Sequence, residues 1–90
     1  MDVTWDPVKA ATNERKHGIS FAWAACVFFD EYRIERHEGR DDHGKDRFVT
    51  VGPIDAVPVG VTYAMRDEVI RIISARKATR DEQSQYRSNR

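Results

Sequence analysis

A set of basic side chains stands out as able to act on an anion: Lys9, Lys16, His17, Arg47, Arg66, Arg71, Arg76, Lys77 and Arg80. The densest stretch is Arg71-Ile72-Ile73-Ser74-Ala75-Arg76-Lys77, where arginine interrupts an apolar run. An unpaired guanidinium is costly to bury, so an arginine there has either a structural partner or a ligand. Its planar fork of donors suits phosphate. RNA makes such a set sufficient for chemistry, because its 2′-hydroxyl is the nucleophile and no protein nucleophile or metal is required. Cleavage then needs in-line geometry, a group to take the 2′ proton, cations on the phosphoryl oxygens and a donor for the leaving 5′ oxygen. His17 could take the proton, as could Glu82 if the last helix turns it inward. Tyr86 could stack on a base, donate a proton, or pack the last helix on a sheet. Ser74, within a strand, has a packed or hydrogen-bonded hydroxyl as its default role.

Alternation along a strand bears on which of these act together. Arg71 shares a face with Val69, Ile73 and Ala75, and Arg76 with Ile70, Ile72 and Ser74. A regular strand separates the two arginines unless a bulge or the strand end re-aims Arg76. The working cluster is therefore drawn as Arg76 and Lys77, Arg66 from the neighbouring strand, and Lys16 and His17 from the first helix. Arg71 is left outside this cluster, as the arginine most suited to a structural role.

Other chemistries lack their motifs. There is no glycine-rich nucleotide loop and no Gly-x-Ser-x-Gly elbow, and His17, His37 and His43 lack metal-site spacing. No metal or cofactor is implied. Asp41-Asp42-His43 is taken as a solvated loop. The single cysteine, Cys26, sits in an apolar run and is expected to be a buried, inert thiol, which fits a reducing compartment. Lys and Arg number 15 and Asp and Glu 15, so the net charge is zero. The charges are unevenly placed, however. Asp30 to Asp46 holds four basic and seven acidic residues, net −3, and Arg66 to Arg90 holds seven basic and four acidic, net +3. Local sign matters more than the total to a phosphate ligand. With no signal peptide and no apolar run of spanning length, the expected location is the cytoplasm, away from membranes.

These residues need elements to position them, and a chain of 90 residues supplies one domain, residues 1–90. Val3 to Trp5 is a short strand or an extended lead-in. Asp6-Pro7 starts a helix that stops at Gly18. Ser20 caps a second helix, with Phe21, Ala24, Ala25 and Phe28 at helical spacing and Trp23, Cys26 and Val27 widening the stripe. Tyr32 to His37, Phe48 to Val51, Val57 to Met65 and Val69 to Ala75 are expected strands, with Pro53 and Asp55 marking a turn. Thr79 and Glu82 form a capping box for a last helix to about Tyr86. The expected fold class is α+β: an N-terminal helix hairpin, a twisted antiparallel sheet of about four strands, and a C-terminal helix. The helices would pack on one face and leave the other partly open.

The motifs resemble those of the BrnT family. They are Trp5-Asp6-Pro7-x-Lys9, Asn13-x-x-Lys16-His17-Gly18-Ile19-Ser20-Phe21, Arg47-Phe48 with Gly52, Val61-x-Tyr63, and Arg71-Ile72-Ile73-Ser74-Ala75-Arg76-Lys77-Ala78-Thr79 with Glu82 and Tyr86. The resemblance spans nearly the whole chain. It implies a toxin of a type II toxin–antitoxin system with a RelE-like ribonuclease fold, an endoribonuclease that cuts RNA and inhibits translation. It further implies a BrnA-like antitoxin with a ribbon-helix-helix domain, through which alone the complex meets operator DNA. Carried over by motif, the candidate catalytic residues are Lys16, His17, Arg66, Arg71, Arg76 and Tyr86. Lys9, Arg47, Lys77 and Arg80 are the candidate RNA contacts. The chain departs from the family at Asp67-Glu68-Val69-Ile70, where a glycine-containing turn is usual. The competing reading is a non-enzymatic module that binds RNA or protein without cutting. An open sheet face with exposed aromatics would favour association with the antitoxin or with a second copy as a homodimer.

Overall fold

The computed structural model describes residues 2–90. The chain opens with strand β1 (Asp2–Trp5) and turns at Asp6, whose side chain accepts a 2.8 Å hydrogen bond from the Val8 N–H and caps α1 (Pro7–His17). Gly18, at φ 72°, ends that helix in a left-handed conformation that costs glycine nothing. Ser20 caps the short α2 (Phe21–Ala24), which tightens into a 3₁₀ segment over Ala25–Phe29. Four strands follow: β2 (Ile34–Arg40), β3 (Asp46–Ile54), β4 (Val57–Arg66) and β5 (Val69–Lys77). The last helix, α3 (Arg80–Asn89), starts on the expected capping box of Thr79 and Glu82.

The fold expected from the sequence needs correction. The sheet has five strands in the order β1-β5-β4-β3-β2, and it is mixed, because β1 runs parallel to β5. No helix hairpin forms at the N-terminus: α1 and α2 each pack on β5, and the 3₁₀ segment packs on β3. The four residues of α2 are too few to pair along α1, and the apolar stripe beyond them is spent on the sheet. Nor do the helices share a face. Phe21, Ala24, Val27 and Phe28 cover one face over Val59, Val61, Tyr63, Ile70, Ile72 and Ala75. Helix α3 lies on the opposite face, where Ala78 and Tyr86 pack with Val49 and Val51. The tighter winding of the 3₁₀ segment also turns Cys26 outward, so the thiol expected to be buried is exposed.

Gly52 lets the 3₁₀ segment sit directly on β3, since a Cβ there would fall 2.8 Å from Val27 Cγ1. The β3–β4 and β4–β5 hairpins both close with two residues at positive φ, Asp55 (48°) with Ala56 (68°) and Asp67 (50°) with Glu68 (67°). That is the geometry of type I′ turns, which favour Asn-Gly over the residues found here.

Candidate functional site

Strand β1 ends opposite Ile72, and among the described residues no strand pairs with the outer edge of β5 beyond it. Asn13 of α1 takes over. Its buried amide donates to the Ala75 carbonyl at 2.9 Å and accepts from the Ala75 N–H at 3.1 Å. It also donates to the Ile19 carbonyl at 3.2 Å, tying the α1–α2 turn to the same point. The helix thus finishes the hydrogen bonding of the strand that carries the arginines, at a site where both backbone groups would otherwise be buried unpaired.

Just before Ala75 the β4–β5 ladder slips. Ser74 faces Thr62 while Ile72 faces Tyr63, so Ile73 is an extra residue on β5. The slip is visible in the packing, because Ile72 and Ala75, three apart, enter the same core. As a result Arg71 and Arg76 lie on one face of the sheet, the face of α3. The regular alternation expected from the sequence does not apply across this bulge.

Along the half of that face not covered by α3, cross-strand register aligns Arg47, Ala64, Arg71 and Thr4 in one row. Strands are ~4.8 Å apart, so the Cα atoms of Arg47 and Arg71 stand ~10 Å apart, with only a methyl side chain between them. The Arg47 Nε is buried and has no hydrogen-bond partner among the described residues. Arg66 ends β4 on the same face, opposite Val69. Arg47, Arg66 and Arg71 join no ion pair among the described residues. In the next row stand the hydroxyls of Thr62 and Ser74.

The end of the face beneath α3 is different. Glu82 is only 3% exposed. It accepts from Arg76 Nη1 at 2.8 Å, from Arg76 Nη2 at 3.1 Å, from Arg36 Nη1 at 2.7 Å and from the Thr79 N–H at 2.9 Å. The Arg76 bonds above all, with help from the Thr79 N–H and Arg36, pull its carboxyl down to about 2. At neutral pH it is an ionised structural acceptor, poorly suited to taking a proton. Tyr86 is buried and donates to Asp30 Oδ2 at 2.8 Å; burial and that carboxylate raise its pKa.

The remaining candidates are dispersed. Lys16 and His17 are exposed in the last turn of α1, on the other side of the sheet. Lys77 lines a hollow of about 340 Å³ with Glu14, Gly18, Ile19 and Trp23, at the same end of the molecule as Lys16 and His17. Lys9 is exposed on α1, and Arg80 is exposed at the start of α3. Arg66 and Arg76 share a face, but their partners Val69 and Gly60 show that they sit six β4 positions apart, which is ~20 Å along a strand. The structure therefore groups Arg47, Arg66 and Arg71, and separates Lys16, His17 and Lys77 from them. Sequence reasoning passed over Arg36. Its place two residues after Ile34 in an alternating strand was the available signal.

The sequence model of a family described as "Ribonuclease toxin, BrnT, of type II toxin-antitoxin system" matches residues 5–82. The chain belongs to the BrnT family. No individual curated protein matches it. BrnT membership makes the protein a ribonuclease toxin whose partner is a protein antitoxin. The matched span runs from the last residue of β1 to Glu82, so it includes the row of free arginines and the carboxylate that holds Arg76. No helix among the described residues is long and apolar enough to cross a membrane.

Proposed function

We propose that this BrnT protein is a metal-independent endoribonuclease that cuts RNA on the sheet face bearing Arg47, Arg66 and Arg71. The observation that carries the proposal is the bulge at Ile73, which turns Arg71 and Arg76 to one face, where Arg47, Arg66 and Arg71 join no ion pair among the described residues. The substrate's 2′ oxygen attacks the adjacent phosphorus and the bond to the 5′ oxygen breaks, leaving a 2′,3′-cyclic phosphate and a 5′-hydroxyl. The 2′ proton passes to water at the open face, and water protonates the leaving oxygen. Arg47 and Arg71, flanking Ala64 on one face, stabilise the charge that builds on the phosphoryl oxygens. Arg66 and Arg76 hold phosphates along the strand, and Thr62 and Ser74 offer hydroxyls beside the row. Lys16, His17, Lys77, Lys9 and Arg80 lie outside the reacting centre in this proposal and attract the rest of the RNA chain. Tyr86 anchors α3.

Cleavage of cellular RNA stops translation, and a BrnA-like antitoxin with a ribbon-helix-helix domain relieves it; operator DNA is met only through that antitoxin. The purified protein should cut single-stranded RNA in excess chelator and leave cyclic phosphate ends, whereas RNA with 2′-deoxy substitution should survive. Binding of RNA without cleavage at any pH would replace the enzyme by a binding module. Loss of activity in chelator, restored by a divalent cation, would remove the metal-independent mechanism.

A further inference from the structure

Arg76 has five N–H donors. Its two Nη1 hydrogens go to the Lys77 carbonyl, at 3.2 Å, and to Glu82 Oε1. One Nη2 hydrogen goes to Glu82 Oε2. The Nε–H and the second Nη2–H have no partner among the described residues, and they lie along one edge of the guanidinium as a second fork. The ring of contacts leaves the group little freedom. Gly60 lies opposite Arg76 on β4, and a Cβ there would fall 2.8 Å from Arg76 Nη1 and 3.3 Å from its Cζ, so the guanidinium sits close against bare backbone. Glu82 is in turn fixed by Arg36 and by its own capping box. Yet the Arg76 side chain keeps 31% of its exposure.

We infer that Glu82 is a positioning residue: it grips one edge of Arg76 so that the second edge is presented, already oriented, to a phosphate of bound RNA. The inference rests on the function proposed above and adds to it. A bare arginine at this position would sample many rotamers before meeting a phosphate, whereas one gripped on its far edge has lost that entropy beforehand. The grip also leaves Arg36, Arg76, Glu38 and Glu82 close to neutral together, with Arg36 Nε 3.3 Å from Glu38 Oε2. This end of the face therefore orients the strand more than it attracts it, and the attraction falls to Arg47, Arg66 and Arg71.

Positioning and bulk attraction respond oppositely to one substitution. Glu82→Gln keeps a capping-box residue but removes the carboxylate. It should slow RNA cleavage on the order of 100-fold, the cost of a misplaced group. Affinity for a short mixed-sequence DNA oligonucleotide, which cannot react, should be unchanged or higher, because a negative charge has left the face. Gly60→Ala, whose Cβ would press on Arg76 Nη1 at 2.8 Å while meeting Glu82 Oε1 only at an ordinary 3.4 Å, should lower the rate in the same way. In the wild type, the Arg76 Nε–H resonance should shift on addition of that oligonucleotide, and the shift should vanish in Glu82→Gln. Wild-type cleavage rates in both variants, or an Arg76 resonance that the oligonucleotide leaves unmoved, would overturn the inference. A wild-type protein that cuts no RNA would sink the proposed function instead, and the resonance would still decide what Arg76 meets.

Discussion

Five arginines, Arg36, Arg47, Arg66, Arg71 and Arg76, share one face of the sheet, and its two ends use them differently. Under α3, Arg36 and Arg76 converge on a carboxylate that the folded chain has buried. At the far end, Arg47, Arg66 and Arg71 have no carboxylate within ion-pair distance among the described residues, and Arg47 keeps a buried N–H without an acceptor. Residue type and burial pattern do not distinguish these ends. What distinguishes them is the partner supplied by another element: α3 delivers Glu82 to one end and nothing to the other. Arginine at the held end is fixed by the fold and has only an edge of Arg76 left for a ligand, whereas arginine at the free end has no carboxylate holding it, so the two ends should fail in different ways.

The largest effect is expected at the free end. Arg71→Ala removes a donor aimed at charge that builds during reaction, and should lower the cleavage rate by about 100- to 1000-fold. Since Arg71 is exposed and joins no ion pair among the described residues, its loss should move the urea unfolding free energy by no more than ~0.5 kcal/mol. The logarithmic salt dependence of RNA binding should also fall by ~0.7, the share of one phosphate contact on a single strand. A stability loss comparable to that of a core substitution would place Arg71 with the structural arginines and erase the difference between the ends.

The held end should show itself in acid. Glu82 ionises at about 2 in the fold against its ordinary 4.5, so the folded form binds the proton less readily than the unfolded form. Its contribution is then fully present above pH 4.5 and is lost as the pH falls through about 2. The size is on the order of 3 kcal/mol, read as a steep decline in unfolding free energy across that window. Glu82→Gln should flatten the decline, while Arg71→Ala should leave it intact. A decline of equal steepness in Glu82→Gln would assign acid sensitivity to other carboxylates and remove the clasp as a distinct region.

How far this contrast could be read from the sequence depends on the range of the interactions involved. The caps were legible. Asp6-Pro7, Gly18, Ser20 and the Thr79–Glu82 box each depend on residues within one helical turn, and each forms as expected. The parallel pairing of Asp2–Trp5 with Val69–Ile72 was not legible, because a four-residue strand has no period that names a partner so far along the chain. A bulge was named as what could re-aim Arg76 but could not be placed, and its position at Ile73 is what joins two arginines that alternation keeps apart. A trace of it existed: buried positions at Ile70, Ile72 and Ala75 step by two and then by three. Strict alternation cannot produce that spacing, but burial was needed to see which of the apolar residues counted. The placement of α3 opposite the other helices was equally hidden, and with it the fact that Glu82 would meet Arg36 and Arg76. Glu82 was read correctly as a cap, and the inward turn that was only a condition for its acting as a base does occur, but its buried carboxylate is too firmly held to serve as one.

The smallest effect tests the comparison from outside the arginines themselves. Each end of the face is bordered by a type I′ hairpin whose second turn residue is not glycine: Ala56 beside the held end and Glu68 beside the free end. A side chain in the left-handed region costs ~1 kcal/mol, so Ala56→Gly and Glu68→Gly should each stabilise the fold by about that amount, measurable in urea. Their effects on RNA should diverge. Ala56→Gly changes no charge and borders a neutral cluster, so affinity for the unreactive oligonucleotide should stay at the wild-type value. Glu68→Gly removes an exposed negative charge two residues from Arg66, and should tighten binding at low salt and lose that gain as salt screens the field. Equal affinities in the two variants at low salt would mean that RNA does not approach the free end, and the distinction between the two ends would then be one of stability alone.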